Sequence, residues 1–405
     1  MRHIVRRVAA AAVATLALTA TLKGQSAPSQ GTPATDPPAV PAAAPVPPTT
    51  EVKVTGLVKL VGFYDLGGLQ GQDGFKITQV DTAEDRNEEH RLSADLKQTR
   101  LRLDAVRRAT RLGDVKAVVE GDFRGSGGST ANLRLRFAFV EVGGLTVGQT
   151  RTVLGDPAAD AIVIDLEGPP TGIALRTPQV RFASSPGRPW RWMVAAEVSG
   201  VDYSTLPDFD PVIVSTYLRR PDLTASVRYG TTRAHVQVGG VVREIRYRRQ
   251  SAGSSGESSS ESLTGGGAAV SGSATLWAGG RLVFQAIAGK GIAHYLSSFG
   301  GGGWDAVPTG LGQLETTTDT GGYLAYMHTA GRFRATALLG GAAVDNPIRE
   351  GLPDFFKGYV ASLTGFYDVL DVLWVGLELD YGRIRDFKQR RGDATRVQFG
   401  MQARF

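Results

Sequence analysis

At 405 residues, with 52 glycines, no cysteine and 21% charged residues, the chain is long enough for two or three ordinary domains or for one large barrel. The lack of cysteine excludes disulfides, thiol nucleophiles and cysteine metal sites. Beyond the N-terminus no run of about 18 apolar residues occurs, which excludes helical membrane spans there but not a transmembrane barrel, whose strands are apolar only at alternate positions.

Residues 1–27 read as a secretory signal: Arg2, Arg6 and Arg7, the apolar VAAAAVATLALTA, then small and polar residues. A short membrane anchor is the alternative. Four cations lie here (Arg2, Arg6, Arg7 and Lys23), so the formal +6 falls to about +2 without the segment. Nucleic-acid binding is therefore not expected. Residues 28–50 are rich in Pro, Ala and Thr, cannot bury a core, and read as a periplasmic linker; peptidoglycan or partner binding is the alternative. Residues 51–405 read as the barrel.

From there the chain alternates in polarity with the period of a strand. In 52–66, Val54, Val58, Leu60 and Tyr64 share one face, and Lys53, Thr55, Lys59 and Asp65 the other. A polar stretch at 67–95 reads as an exposed loop. In 98–106, Gln98, Arg100, Arg102 and Asp104 oppose Leu101, Leu103 and Ala105. In 115–123, Lys116, Glu120 and Asp122 oppose Val115, Ala117, Val119 and Phe123. Next, Leu133, Leu135, Phe137 and Phe139 oppose Arg134 and Arg136, and LTVGQT (145–150) follows across Gly-Gly. A soluble sandwich would also alternate, but charge of both signs on neighbouring polar faces suits a water-filled lumen, with the apolar faces meeting lipid.

The pattern breaks over 151–172 around a small apolar patch, Ile162 to Leu166. This loop follows the fifth segment and carries Asp156, Asp160, Asp165 and Glu167. It reads as a constriction loop folded into the barrel or as an extracellular flap. Further segments follow at 174–182, 190–201, 222–230, 233–247, 267–277, 281–292, 321–330, 332–342, 359–369, 372–382 and 396–405. The total is about 16, with short connections alternating with long ones, the signature of an all-β transmembrane antiparallel barrel in the outer membrane. The closing RVQFGMQARF, ending on Phe405, resembles the sorting signal of such barrels.

A barrel of that size holds water, so function falls to its inward residues. Lys59, Arg100, Arg102, Lys116, Arg134, Arg136 and Arg181 form a basic set suited to carboxylate or phosphate groups. Glu120, Asp122, Glu378 and Asp380 form an acidic wall across from it. The resulting field favours small anionic or zwitterionic solutes; alternatively Arg100, Glu120, Asp122 and Arg134 only pair with each other. Replacing Arg134 or Arg136 by Ala is expected to weaken anion preference.

The stretches TGLVKLVGFYDLGG (55–68), QTRLRLD (98–104), VEGDF (119–123), LRLRFAFVE (133–141), LTVGQT (145–150), RTPQVRF (176–182) and AGKGIAHY (288–295) resemble the DcaP-like outer-membrane porins. The resemblance implies a homotrimeric 16-stranded channel for negatively charged small molecules, dicarboxylates among them, with an arginine-rich wall mapping onto Arg100, Arg134, Arg136 and Arg181. It departs in two places. The Pro-rich 28–50 stands where a coiled coil is common, and Arg102 stands where a small residue is common. A phosphate-selective porin would want lysines on the constriction loop, and 152–172 has no Lys or Arg. A surface-binding or structural barrel is a further alternative. An enzyme is not expected: His90, His235, His294 and His328 have no recognisable Ser/Asp motif around them. No nucleotide, metal or cofactor motif is seen, since GKG at 289–291 lacks the spacing of a phosphate loop.

Overall fold

A computed structural model describes residues 49–405, apart from 72–73, 83–89, 126–131, 166, 205–211, 251–257, 309–312 and 346–354. The expected signal and linker, residues 1–27 and 28–50, lie outside the described residues except for the last two, Thr49 and Thr50.

Each alternating segment is a strand, and the sixteen close on themselves. They are β1 (Thr50–Asp65), β2 in two pieces (Arg91–Asp95 and Arg100–Thr110), β3 (Gly113–Asp122), β4 (Arg134–Val142), β5 (Leu145–Arg151), β6 (Arg176–Ala183) and β7 (Trp190–Glu197). Then come β8, also in two pieces (Val212–Tyr217 and Asp222–Gly230), β9 (Ala234–Gln250), β10 (Ser258–Trp277), β11 (Gly280–Lys290) and β12 (Thr318–Ala330). The last are β13 (Phe333–Asp345), β14 (Phe355–Leu370), β15 (Leu373–Asp386) and β16 (Arg391–Arg404). Every neighbouring pair is antiparallel, and β16 returns to β1 from Leu57 opposite Arg404 to Asp65 opposite Arg396. Closure leaves no open edge, the condition for a sheet in hydrocarbon. No helix among the described residues is long and apolar enough to cross a membrane.

The side-chain period sets the two faces. Val54, Val58, Leu101, Leu103, Val119, Val147, Val180, Leu339, Leu363 and Phe399 stand exposed on the outside. Lys59, Asp65, Glu120, Gln179, Gln237, Gln285, Glu378 and Gln398 are buried on the inside. One break in the period overturns an expectation. Phe137 and Phe139 were expected on the lipid face with Leu133 and Leu135. A β-bulge inserts Arg136 between Gly121–Leu135 and Glu120–Phe137, so Phe137 and Phe139 fall opposite inward Glu120 and Val118. An extra residue shifts the parity of everything after it.

The lumen is not uniformly wet. Among the described residues, parts of three connections turn inward: those of 66–82 after β1, of 152–175 after β5, and of 291–317 after β11. They pack on Val241, Val283, Ile287, Leu338, Val344, Val360 and Ile384 of the β9–β15 inner wall. The expected exposed loop at 67–95 is therefore corrected for its first part. Phe75 and Ile77 are 0% exposed, seated where Gly382 and Gly358 leave room that a Cβ would take, at 2.8 Å and 2.9 Å. Each such burial contributes about 1.5–3 kcal/mol, which a polar neighbourhood in sequence does not reveal. The open space lies against the opposite wall, β1–β7.

Candidate functional site: the basic wall facing the inner loop

The loop between β5 and β6 is tied into the lumen by its acids and its backbone. Asp156 caps the short 3-10 turn Pro157–Ala159 through the Ala158 N–H. The same carboxylate lies 2.6 Å from His235 Nε2 and 3.1 Å from Arg228, and it accepts from Ser271 at 3.0 Å. His235 Nδ1 lies 3.0 Å from Ser273 Oγ, to which Arg281 donates, so this Asp–His–Ser line is held on both sides as an anchor. Asp160 pairs with Arg151 at 2.8 Å and accepts from Gln285 at 3.0 Å. Farther on, Glu378 accepts from the backbone N–H groups of Ile164 and Asp165 and from Thr364. Lys59 donates to the Ile164 carbonyl at 2.8 Å. Glu167 reaches Arg124 at 2.8 Å and Lys76 at 3.9 Å. Of the two readings of this loop, the structure selects the one folded into the barrel.

The acids expected to oppose the basic wall take other positions. Glu120 and Asp122 lie within that wall: Arg136 bridges both at 2.8 Å, and Arg134 holds Asp122 at 2.7 Å. Glu378 and Asp380 are each 1% exposed, beneath the loop rather than on an open face. With Asp165 they form a carboxylate group within 4.8 Å, close enough for a metal ion. Donors already hold it, however: the Phe75 N–H, Ser362, Thr364 and Gln398, whose Nε2 reaches all three carboxylates.

The cations also divide. Arg102 pairs with Asp104 at 2.6 Å and Glu120 at 3.2 Å, and Lys116 lies 3.9 Å from Asp104. Arg181 reaches Thr146 Oγ1 at 3.5 Å. A cavity of about 580 Å³ between the loop and the wall is lined by Lys59, Arg100, Arg124, Arg134, Arg136, Arg151 and Arg176. Of these, Arg100 and Arg176 form no ion pair or hydrogen bond through their guanidiniums with any described residue, and both leave a buried Nε without a partner. Arg176 stacks over the Phe137 ring at 5.5 Å.

Arg151 and Arg176 escape a reading of alternation. They share the parity of outward Val147 and Val180, yet they line the cavity. The ladder between β4 and β5 begins only at Ala138–Gln149, so the ends of β5 and β6 leave the wall. There Gln149 takes up the carbonyls of Leu135 and Arg136. The only signal in the sequence was the break in pattern directly after Thr150.

The inner connection 291–317 is pinned by Asp305, which meets Arg243 at 3.0 Å and His294 at 2.8 Å. Burial pushes the Asp305 carboxyl up, but His294 and Arg243 outweigh it and hold the group below its ordinary value.

A sixteen-stranded barrel with a loop folded in after the fifth strand is the porin architecture, and the family follows from residues 32–297, which match the DcaP outer membrane protein family. The chain belongs to that family. Its solved likenesses agree in fold. The outer membrane channel DcaP of Acinetobacter baumannii is 22% identical, with 88% of this chain and 97% of that one covered and a TM-score of 0.72. In vitro folded OmpT, an outer membrane protein of Vibrio cholerae, is 11% identical over 88% and 98% of the two chains, with a TM-score of 0.54. A porin refined at 1.8 Å is 12% identical over 88% and 100%, with a TM-score of 0.51. No curated protein matches the sequence. This DcaP-family chain is a bacterial outer-membrane porin, and its strands cross the bilayer.

Proposed function

We propose that this porin is a passive channel for small hydrophilic solutes with a preference for anions, dicarboxylates among them. The observation that carries the reading is the pair Arg100 and Arg176: two guanidiniums lining the cavity, neither in a salt bridge with a described carboxylate. A guanidinium presents a planar fork that matches a carboxylate, and low-dielectric walls focus its field. Arg134, Arg136 and Arg102 are offset by Glu120, Asp122 and Asp104, so they shape the wall more than they attract. Every acid of the constriction loop is likewise held by a cation or by backbone N–H groups, which leaves the balance of the passage positive.

The test is the reversal potential across a planar bilayer under a salt gradient, for the parent and for Arg100→Ala and Arg176→Ala. Each variant should lower the anion-to-cation permeability ratio at least about twofold, as expected for removing one partly screened charge at the narrow zone. Unchanged reversal potentials in both would defeat the assignment.

Three further readings belong with this one. Residues 1–27 act as the export signal, checked by N-terminal sequencing of the mature protein. Residues 28–50 act as a spacer. Assembly is as a homotrimer, supported by the likeness to the DcaP family and checked by native mass spectrometry.

A further inference from the structure

The carboxylates beneath the inner loop carry more charge than their partners answer. Glu378 and Asp380 stand two residues apart on β15, so both point inward, and Gln398 of β16 lies directly opposite Glu378. The loop between β5 and β6 brings Asp165 to them. All three acids are buried, and each sets an oxygen within 4.8 Å of the others. The groups that hold them are the backbone N–H groups of Phe75, Ile164, Asp165 and Glu167, with Ser362, Thr364 and Gln398. Every one of these is neutral. None of the three acids forms a salt bridge with a described residue. Lys59 is close enough for its charge to act on Asp165 and Glu378, but it donates to the Ile164 carbonyl. One cation thus stands beside three carboxylates, whereas buried charges as a rule are paired or bind a metal.

Gln398 gives a separate indication. It is 0% exposed, and its Nε2 lies 2.8 Å from Asp165 Oδ2, 3.3 Å from Glu378 Oε1 and 2.6 Å from Asp380 Oδ2. An amide nitrogen carries two hydrogens, so three carboxylate oxygens converge on a group that can serve two of them. Its Oε1 is buried and accepts no hydrogen bond from any described residue. A half-turn of the carboxamide exchanges its two ends. The spare oxygen then faces the three carboxylate oxygens, and four hard oxygen donors surround one point.

We propose that Asp165, Glu378, Asp380 and Gln398 bind a calcium ion that pins the constriction loop to β15 and β16. Calcium takes oxygen ligands at about 2.3–2.6 Å in flexible geometry, so ligands on opposite sides of it stand about 5 Å apart. The spread of the carboxylate oxygens suits that span. Magnesium demands a tighter octahedron, at about 2.0–2.1 Å. The ion supplies the positive charge that the neutral donors lack. Asp165 comes from the loop and the other three ligands from the wall, so the ion joins the two.

The experiment uses the full chain refolded in detergent free of lipopolysaccharide and stripped with EDTA. Calcium chloride is titrated in while the unfolding temperature and terbium luminescence are read. Terbium has the size and oxygen preference of calcium, and Trp374, packed in one cluster with Ile164 beside the site, serves as its antenna. Calcium should raise the unfolding temperature of the parent and displace one terbium per chain, at least tenfold more tightly than magnesium. Asp380→Asn keeps an acceptor for Ser362 but removes one charge, and should lose at least tenfold in calcium affinity. If shared protons neutralise the carboxylates instead, the parent gives no sensitised terbium signal and its unfolding temperature ignores calcium. That result overturns the proposal without any variant. So does a parent that treats magnesium and calcium alike, or a folded Asp380→Asn that binds calcium like the parent. In planar bilayers, EGTA should make the parent's single-channel current larger and noisier, and an unchanged trace overturns the pinning of the loop. None of these readouts depends on whether the channel prefers anions.

Discussion

Arg136 and Arg100 stand one strand apart from each other, on either side of β3, and do different work. Arg136 is 7% exposed and satisfies two carboxylates, Glu120 and Asp122, that have no water to turn to. Removing Arg136 leaves Glu120 with Arg102 and Asp122 with Arg134 as their remaining, more exposed partners, and each lost hydrogen bond to a charged group costs about 1.5–3 kcal/mol. Arg136→Ala should therefore act mainly on stability, lowering the temperature at which the folded barrel converts to the unfolded band on a denaturing gel. Arg100→Ala removes a cation that forms no salt bridge with a described residue, so its unfolding temperature should fall less than that of Arg136→Ala while its selectivity changes. If both variants shifted the unfolding temperature equally, this division of roles would be wrong. The alternation placed both arginines inward; it could not say which one forms salt bridges, because that depends on the register between strands and on one bulge.

Among elements, the loop 152–175 is held at several separate points, of which Glu378 is the one that takes two backbone N–H groups. Glu378 accepts from Ile164 and Asp165 together, with the Asp165 N–H at 3.0 Å. Glu378→Ala leaves two buried N–H groups unmet, each costing about 1–3 kcal/mol. The segment around Ile164 should then leave its place, and single-channel conductance should become larger and noisier; an unchanged trace would show that the remaining attachments at Asp156, Asp160 and Glu167 suffice to hold it. The connection 291–317 gives a pH prediction. Because His294 and Arg243 hold Asp305 below its ordinary value, its contribution is complete above that ordinary value, near pH 4, and is lost only as pH falls through the lowered one. Amide exchange in residues 293–305 should stay slow from pH 7 to pH 4 and rise only under stronger acid. Loss of protection already at pH 5 would contradict this anchor. Phe75→Ala tests the third inward connection: losing a fully buried ring costs about 3–5 kcal/mol, and the unfolding temperature should fall accordingly.

For the molecule as a whole, the seam between first and last strands decides whether a barrel exists. Phe405 exchanges two backbone hydrogen bonds with Gly56, at 3.0 Å and 3.1 Å, and a Cβ on Gly56 would meet the Phe405 ring at 2.5 Å and the Arg100 carbonyl at 2.7 Å. Gly56→Val should therefore impair closure, seen as a reduced yield of the heat-modifiable folded form in vesicles. A normal yield would show that the seam tolerates displacement of the terminal ring.

The sequence by itself determined the barrel. A period of two repeated through sixteen segments, with turns short on one side and long on the other, permits few other folds, because the period is a property of each strand alone. It also placed Lys59, Arg100, Arg134 and Arg136 on the inward face and located the constriction loop by a break in pattern. The tertiary structure decided what depends on residues far apart in the chain. It packed the described parts of three inward connections against the β9–β15 wall, since Phe75 and Ile77 find glycines on β14 and β15 that no local pattern foretells. It turned Phe137 and Phe139 inward through one inserted residue. It brought Arg151 and Arg176 to the cavity where two strands leave the wall. Parity is a local property that survives only while the ladder is regular, and the candidate site sits where the ladder breaks.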